Sequence, residues 1–185
     1  MNTRCYIALL RGINVGRAKR IAMADLRKVI ADLGFTEVRS LLNSGNVVFM
    51  GPKMTHKEVR RAIEETLVMK LGVPSRVTVL ESDELDQVVA ENTLTDVPEP
   101  SRLLVFFLTR PRDHALIEPL AAIDWGKEAL ALGRRAAYVW CPEGVLQCRA
   151  GGEVNTKLGD ATTSRNWSTV LKLHALTEAV KAATA

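Results

Sequence analysis

The chain has 185 residues, of which 47% are apolar, 25% charged and 5% aromatic, and its 25 Lys/Arg against 21 Asp/Glu give a formal net charge of +4. That length suits one domain or two small joined halves, and the composition excludes a disordered or collagen-like chain. No apolar run approaches the roughly 18 residues that a membrane span needs, and the apolar stretch before Arg11 is too short for a signal peptide. Three cysteines, Cys5, Cys141 and Cys148, form no even disulfide framework. We therefore expect reduced thiols, a cytoplasmic location and no membrane partner.

Charge is segregated along the chain. Residues 1–61 carry 12 Lys/Arg against 4 Asp/Glu, a formal +8, whereas residues 62–100 carry 2 against 9, a formal −7. Residues 101–185, with 11 against 8, return to +3. A basic first third either steers an anionic partner or is compensated within the fold.

In chain order, residues 6–10 form a continuous apolar run that reads as a buried strand. A glycine-containing basic loop follows over residues 11–20. Met23, Leu26, Ile30 and Leu33 then recur at helical spacing, with Gly34 as the stop signal. Residues 37–42 alternate as a half-buried strand, and Asn43-Ser44-Gly45-Asn46 reads as a tight turn into a strand over 47–50. Thr55 and Glu58 have capping-box spacing at the start of a helix ending near Gly72, and residues 76–80 form a further strand. An acidic helix over 82–91 and a turn-rich linker over 92–100 follow.

The second half begins the same plan with a strand over 102–108. Pro111 opens a helix expected to reach Ile123, and residues 128–132 and 137–140 form a hairpin around Gly133-Arg134-Arg135. Gly144, Gly151 and Gly152 punctuate a weak helical stretch, and a last helix is expected from about 164 to 181. The expected fold class is α+β. It comprises two ferredoxin-like halves of β-α-β-β-α-β type with antiparallel sheets, plus a C-terminal helix. The corresponding domain boundaries are 1–81, an acidic helix and linker over 82–101, and 102–185.

Standard catalytic and cofactor motifs are missing from the sequence. His56, His114 and His174 have no second ligand at i+3 or i+4, and the Cys141/Cys148 spacing matches no zinc knuckle, so neither a metal nor a cofactor is expected. Gly12 and Gly16 do not complete a phosphate-binding Walker loop. Three loops remain. In the first, Gly12 and Gly16 allow backbone N–H groups close to a ligand, while Arg11, Arg17, Lys19 and Arg20 supply positive charge. Asn14 supplies an amide. The second, Asn43-Ser44-Gly45-Asn46, is either a hairpin turn alone or part of the same contact surface. In the third, Thr163 or Ser164 is expected to cap the last helix and to leave Arg165 in its first turn, beside Asn166. A cation there opposes the helix dipole at a cost of about 0.3–1 kcal/mol. Asp160 or a bound anion would offset it. Trp167 shares a helical face with Val170 and Leu171 and reads as core, as do Tyr6 and Phe49 on their strands.

These loops also carry a resemblance. Leu9-Leu-Arg-Gly-Ile-Asn-Val-Gly16, Met23-Ala-Asp-Leu-Arg27, Ser44-Gly-Asn-Val-Val-Phe49 and Thr163-Ser-Arg-Asn-Trp-Ser-Thr-Val170 resemble the bacterial family catalogued as domain of unknown function 1697 (DUF1697). The match runs from about residue 4 to residue 175. It implies two ferredoxin-like α+β halves and assigns no reaction. It falls on Arg11, Gly12, Asn14, Gly16, Ser44, Gly45, Asn46, Arg165, Asn166, Trp167 and Thr169. The chain departs from the family at Arg17, where a second glycine is usual, and at Ala22, where proline is common. It departs again over 146–153, where a serine-lysine helix is the family pattern.

Three functions are compatible with these residues. The first is a binding protein that contacts a nucleotide or a nucleic-acid backbone through Arg11, Asn14 and Arg165. The second is an enzyme acting on a small phosphorylated or carboxylated substrate, with the same arginines as electrostatic stabilisers. The third is a structural role for the motifs. The loop after the first strand and the hairpin after the second are expected to leave opposite strand ends, so one pocket from all three loops needs the last helix as a bridge.

Overall fold

The computed structural model describes residues 3–15 and 20–184. The chain divides into two compact units, one drawn from Met1–Leu85 and Lys172–Ala185, the other from Asp86–Leu171. Gly16, Arg17 and Lys19 of the basic loop lie outside the described residues.

The first unit is built around β1 (Thr3–Leu10), whose last six residues are all buried. It is followed by α1 (Met23–Asp32), β2 (Thr36–Leu41), β3 (Asn46–Pro52), α2 (His56–Leu71) and β4 (Val77–Glu81), in the expected β-α-β-β-α-β order. The sheet order is β2-β3-β1-β4, with every hydrogen-bonded pair antiparallel. Alternate β1 residues Tyr6, Ala8 and Leu10 face a core completed by Leu26, Val29 and Ile30 of α1 and Val59, Ile63 and Leu67 of α2. The α2 start is as its spacing predicts: the Thr55 hydroxyl accepts from the Glu58 N–H, and the Glu58 carboxylate accepts from the Thr55 N–H. Each reciprocal bond satisfies a donor that the helix start would otherwise leave open.

One expectation is overturned here. Because β3 runs antiparallel to both β1 and β2, β1 and β2 are parallel. The loop after β1 and the hairpin after β2 therefore leave the same end of the sheet. The helix between the two strands carries the chain back to the starting edge, as a β-α-β crossover must.

In the second unit, β5 (Leu103–Leu108), β6 (Ala129–Leu132), β7 (Ala136–Trp140) and β8 (Thr162–Asn166) form a second antiparallel sheet in the order β6-β7-β5-β8. The helix expected over 111–123 is instead two short 3-10 turns, Pro111–Leu116 and Glu118–Ala122. Pro119 explains the break, since it offers no N–H and clashes with the preceding turn inside an α-helix. The stretch after Gly144 condenses into α4 (Arg149–Leu158), which packs Ala150, Val154 and Leu158 against Leu104, Phe106 and Leu108 of β5. All three tryptophans, Trp125, Trp140 and Trp167, fall in this unit. The Arg149 guanidinium lies 5.0 Å from the Trp125 ring centroid, a cation–π contact.

The remaining helices are α3 (Ser82–Ala90) and α5 (Trp167–Ala182). The last helix thus begins three residues later than the spacing suggests. Residues 162–166 pair with β5, Leu108 opposite Thr162 and Leu104 opposite Asn166.

Candidate functional site

The loop after β1 and the β2–β3 hairpin are bound to each other. The Leu10 N–H donates to the Gly45 carbonyl at 2.8 Å, and the Arg11 N–H donates to the Arg76 carbonyl at 2.8 Å. The Ser75 hydroxyl donates to the Arg11 carbonyl. Gly45 has φ +73°, and a Cβ built there would lie 2.7 Å from Leu10 Cβ and 2.8 Å from Ile13 Cδ1. Glycine is needed at this position both for the left-handed backbone and for close packing of the turn on the loop. Gly12 also has a positive φ, +66°, but faces open space.

Asn14 closes the basic loop. Its Nδ2 donates to the Ile21 carbonyl at 2.9 Å and to the Asn43 carbonyl at 2.7 Å, and its Oδ1 accepts from the Ile21 N–H at 2.9 Å. Both amide hydrogens are thereby committed to backbone, which makes Asn14 a clamp between loop and hairpin. Its φ of +55° is one that asparagine tolerates better than most residues. Asn46 is fully buried, and its Nδ2 donates to the Leu41 carbonyl and to the Ser44 hydroxyl. Ser44 is exposed. Leu42 adopts φ +56° while remaining half exposed, a conformation uncommon for a bulky residue.

This end of the sheet encloses a cavity of about 500 Å³, lined by Asn14, Arg20, Ile21, Ala22, Met23 and Asn43. It opens at the start of α1, whose N-cap residue, Ala22, supplies no side-chain hydrogen bond. The unpaired N–H groups of a helix start carry partial positive charge. Asp25 stands in the first turn of α1, and Arg20 stands on the cavity wall. Residue type identifies Arg20, and the amide and the family motif identify Asn14; Asn43 falls in the second candidate loop, and the hairpin register brings it to the wall.

Arg165 and Asn166 belong to the second unit, away in sequence and in a different local setting. Arg165 stands on β8 opposite Val105, not in a helix turn. Its guanidinium donates to the Thr163 hydroxyl at 3.0 Å and to the Ser164 carbonyl at 2.7 Å. Burial pushes this group down to about 10, which leaves it charged at neutral pH. Asn166, rather than Thr163 or Ser164, caps α5: its Oδ1 accepts from the Thr169 N–H at 2.9 Å. The described residues thus place Arg11, Gly12, Asn14, Arg20, Ser44 and Asn46 in the first unit and Arg165 and Asn166 in the second.

A second cluster in this unit was not anticipated. Glu128, just before β6, accepts from the Arg149 N–H at 2.9 Å and the Ala150 N–H at 2.7 Å, and so caps α4 from a distance in sequence. Burial opposes its charge, but these donors together with the Cys148 thiol outweigh it and hold the carboxyl below its usual range.

Two four-stranded antiparallel sheets with helices and a C-terminal helix define an α+β protein. A chain of the same fold is described as conserved bacterial protein SP0830 from Streptococcus pneumoniae; it is 21% identical, with a TM-score of 0.77 over 95% of this chain and 99% of that one. The chain belongs to the family described as "Protein of unknown function (DUF1697)", whose family model matches residues 2–138. No curated protein matches it. Among the described residues, no helix is long and apolar enough to cross a membrane.

Proposed function

We propose that the first unit binds an anionic, phosphate-bearing ligand in the cavity at the start of α1. One observation carries this reading: an α1 start without a side-chain cap opens into a cavity of about 500 Å³ with Arg20 on its wall. The N–H groups of a helix start that Ala22 cannot cap and a guanidinium together suit phosphate oxygens. Asn14, Gly45 and Asn46 support the reading indirectly, since their bonds hold loop and hairpin in the arrangement that shapes the cavity. Arg165 has no part in it.

The test is a thermal-shift titration of the full chain with inorganic phosphate, nucleoside mono- and triphosphates, and short single-stranded RNA and DNA. A ligand at about 100 times its Kd stabilises the native state by about 2.7 kcal/mol. The expected result is a concentration-dependent rise in Tm with a nucleotide that is lost in Arg20→Ala. Binding to the nucleic acids that falls steeply with salt would instead make a polyanion the ligand. A flat response to every probe, or a rise unchanged in Arg20→Ala, refutes the proposal.

A further inference from the structure

Cys141 and Cys148 are separated by six residues in sequence and meet inside the second unit. Both are free thiols in the same buried cluster as Phe106, Val139 and Ala150. The two thiols lie close enough to interact, and the Cys141 thiol donates to the Val139 carbonyl at 3.7 Å. Cys148 is the N-cap residue of α4, and its Sγ accepts from the Gly151 N–H at 3.4 Å. Its own thiol points at Glu128 Oε2, 3.6 Å away. Cys141 is fully buried, whereas Cys148 keeps 7% of its surface.

We propose that this pair is a modification site: a dithiol that a hydroperoxide converts to an internal Cys141–Cys148 disulfide, with Cys148 reacting first and Cys141 resolving the product. The order follows from the asymmetry of the contacts. Cys148 receives a hydrogen bond from the Gly151 N–H at the helix start, which favours a thiolate against the opposing Glu128 carboxylate, whereas Cys141 has the Val139 carbonyl beside it. Cys148 is also the residue of the pair that keeps some exposed surface. Burial pushes both thiols up, Cys141 the further. The thiolate fraction is accordingly small, and it resides mainly on Cys148.

The chemistry closes without a further reactant. Cys148 Sγ attacks one peroxide oxygen, an S–O bond forms and the O–O bond breaks. The thiol proton passes by way of Glu128 to the departing alkoxide, or hydroxide from hydrogen peroxide, which leaves as an alcohol or water. Cys141 Sγ then attacks the sulfur of the Cys148 sulfenic acid; the S–S bond forms, the S–O bond breaks, and the Cys141 proton leaves with hydroxide as water. Two thiols are oxidised by two electrons, and the peroxide is reduced. The intervening segment contains Gly144 at φ +101° and the exposed Val145 and Leu146. It is therefore not locked in the core and can follow the sulfurs as they close.

The experiment is graded hydrogen peroxide treatment of the native full chain, read by peptide mass spectrometry under non-reducing conditions and with a 1,3-diketone that traps sulfenic acid. The expected result is loss of two hydrogens in a linkage joining Cys141 to Cys148, reversed by dithiothreitol, with Cys5 of the first unit left reduced. Cys148→Ser, which retains an oxygen at the N-cap, should leave Cys141 unoxidised at the same dose. Cys141→Ser and Cys141→Ala should both accumulate diketone-trapped Cys148. Sulfinic or sulfonic acid at Cys148 of the native chain without any disulfide overturns the proposal. Oxidation of Cys141 in Cys148→Ser, or a linkage through Cys5, overturns it as well.

Discussion

Gly45→Ala tests the idea that the hairpin turn must seat directly on the loop after β1. The added methyl group meets two separate penalties. The left-handed backbone at φ +73° costs an L-residue about 1–2 kcal/mol. The new Cβ would also lie 2.7 Å from Leu10 Cβ and 2.8 Å from Ile13 Cδ1. The Ile13 tip can rotate aside, but Leu10 Cβ is fixed to a central strand, so backbone must shift, an overpacking cost of about 1–3 kcal/mol. The sum is about 2–5 kcal/mol. Gly12→Ala supplies the control, because φ is +66° there and nothing lies within 4 Å; it should cost only the conformational part, about 1–2 kcal/mol. Urea unfolding followed by far-ultraviolet circular dichroism should place the Gly45→Ala midpoint roughly 1 M below the parent. Hydrogen exchange of the Leu10 amide, which donates to the Gly45 carbonyl at 2.8 Å, should quicken with it. Equal losses in Gly45→Ala and Gly12→Ala would refute the close-packing argument and leave backbone conformation as the whole effect.

Two further outcomes follow from the same reasoning. Asn14→Ala removes three bonds to backbone and should lower stability by about 2–3 kcal/mol in the same urea titration; Asn14→Asp keeps the acceptor for the Ile21 N–H and loses both donors, so it should restore only a minor part. The Glu128 carboxyl titrates below its ordinary range in the folded chain, so its stabilisation is whole above the unfolded-state value of about 4.3 and disappears as pH falls through the depressed folded value. Glu128→Gln should therefore show a Tm deficit at neutral pH that narrows in acid; a deficit that is constant down through this range would show that the charge is not what caps α4.

Most of the first unit was legible because its signals are local. Residues 6–10 could only be a buried strand, the Thr55–Glu58 box marks its helix start unambiguously, and Gly72 ends that helix at φ +64°. The second unit hid its edge strand because Thr162, Thr163, Ser164 and Asn166 are good helix-cap residues. The register with β5, a contact between residues more than fifty positions apart, decided otherwise. Pro119 was the overlooked local signal within 111–123. The candidate site was legible in part. Arg20 and the glycines stand out by type, whereas the joint position of Asn14 and Asn43 depends on β1 and β2 running in the same direction. The Cys141–Cys148 contact has no sequence signature, since their spacing matches no ligand pattern and a loop had to bring them together.

The placement of the tryptophans gives the chain a built-in optical asymmetry. Trp125, Trp140 and Trp167 all belong to the second unit, while the first carries Tyr6 and no tryptophan. Indole emission thus arises from residues of the second unit, and the Trp125 ring under Arg149, near the α4 start, places one emitter close to the cysteine pair. Gly45 and the residues lining the α1 cavity belong to the unit that carries no tryptophan. Emission together with exchange of the Leu10 amide, which donates to the Gly45 carbonyl, therefore gives one sample a probe in each unit.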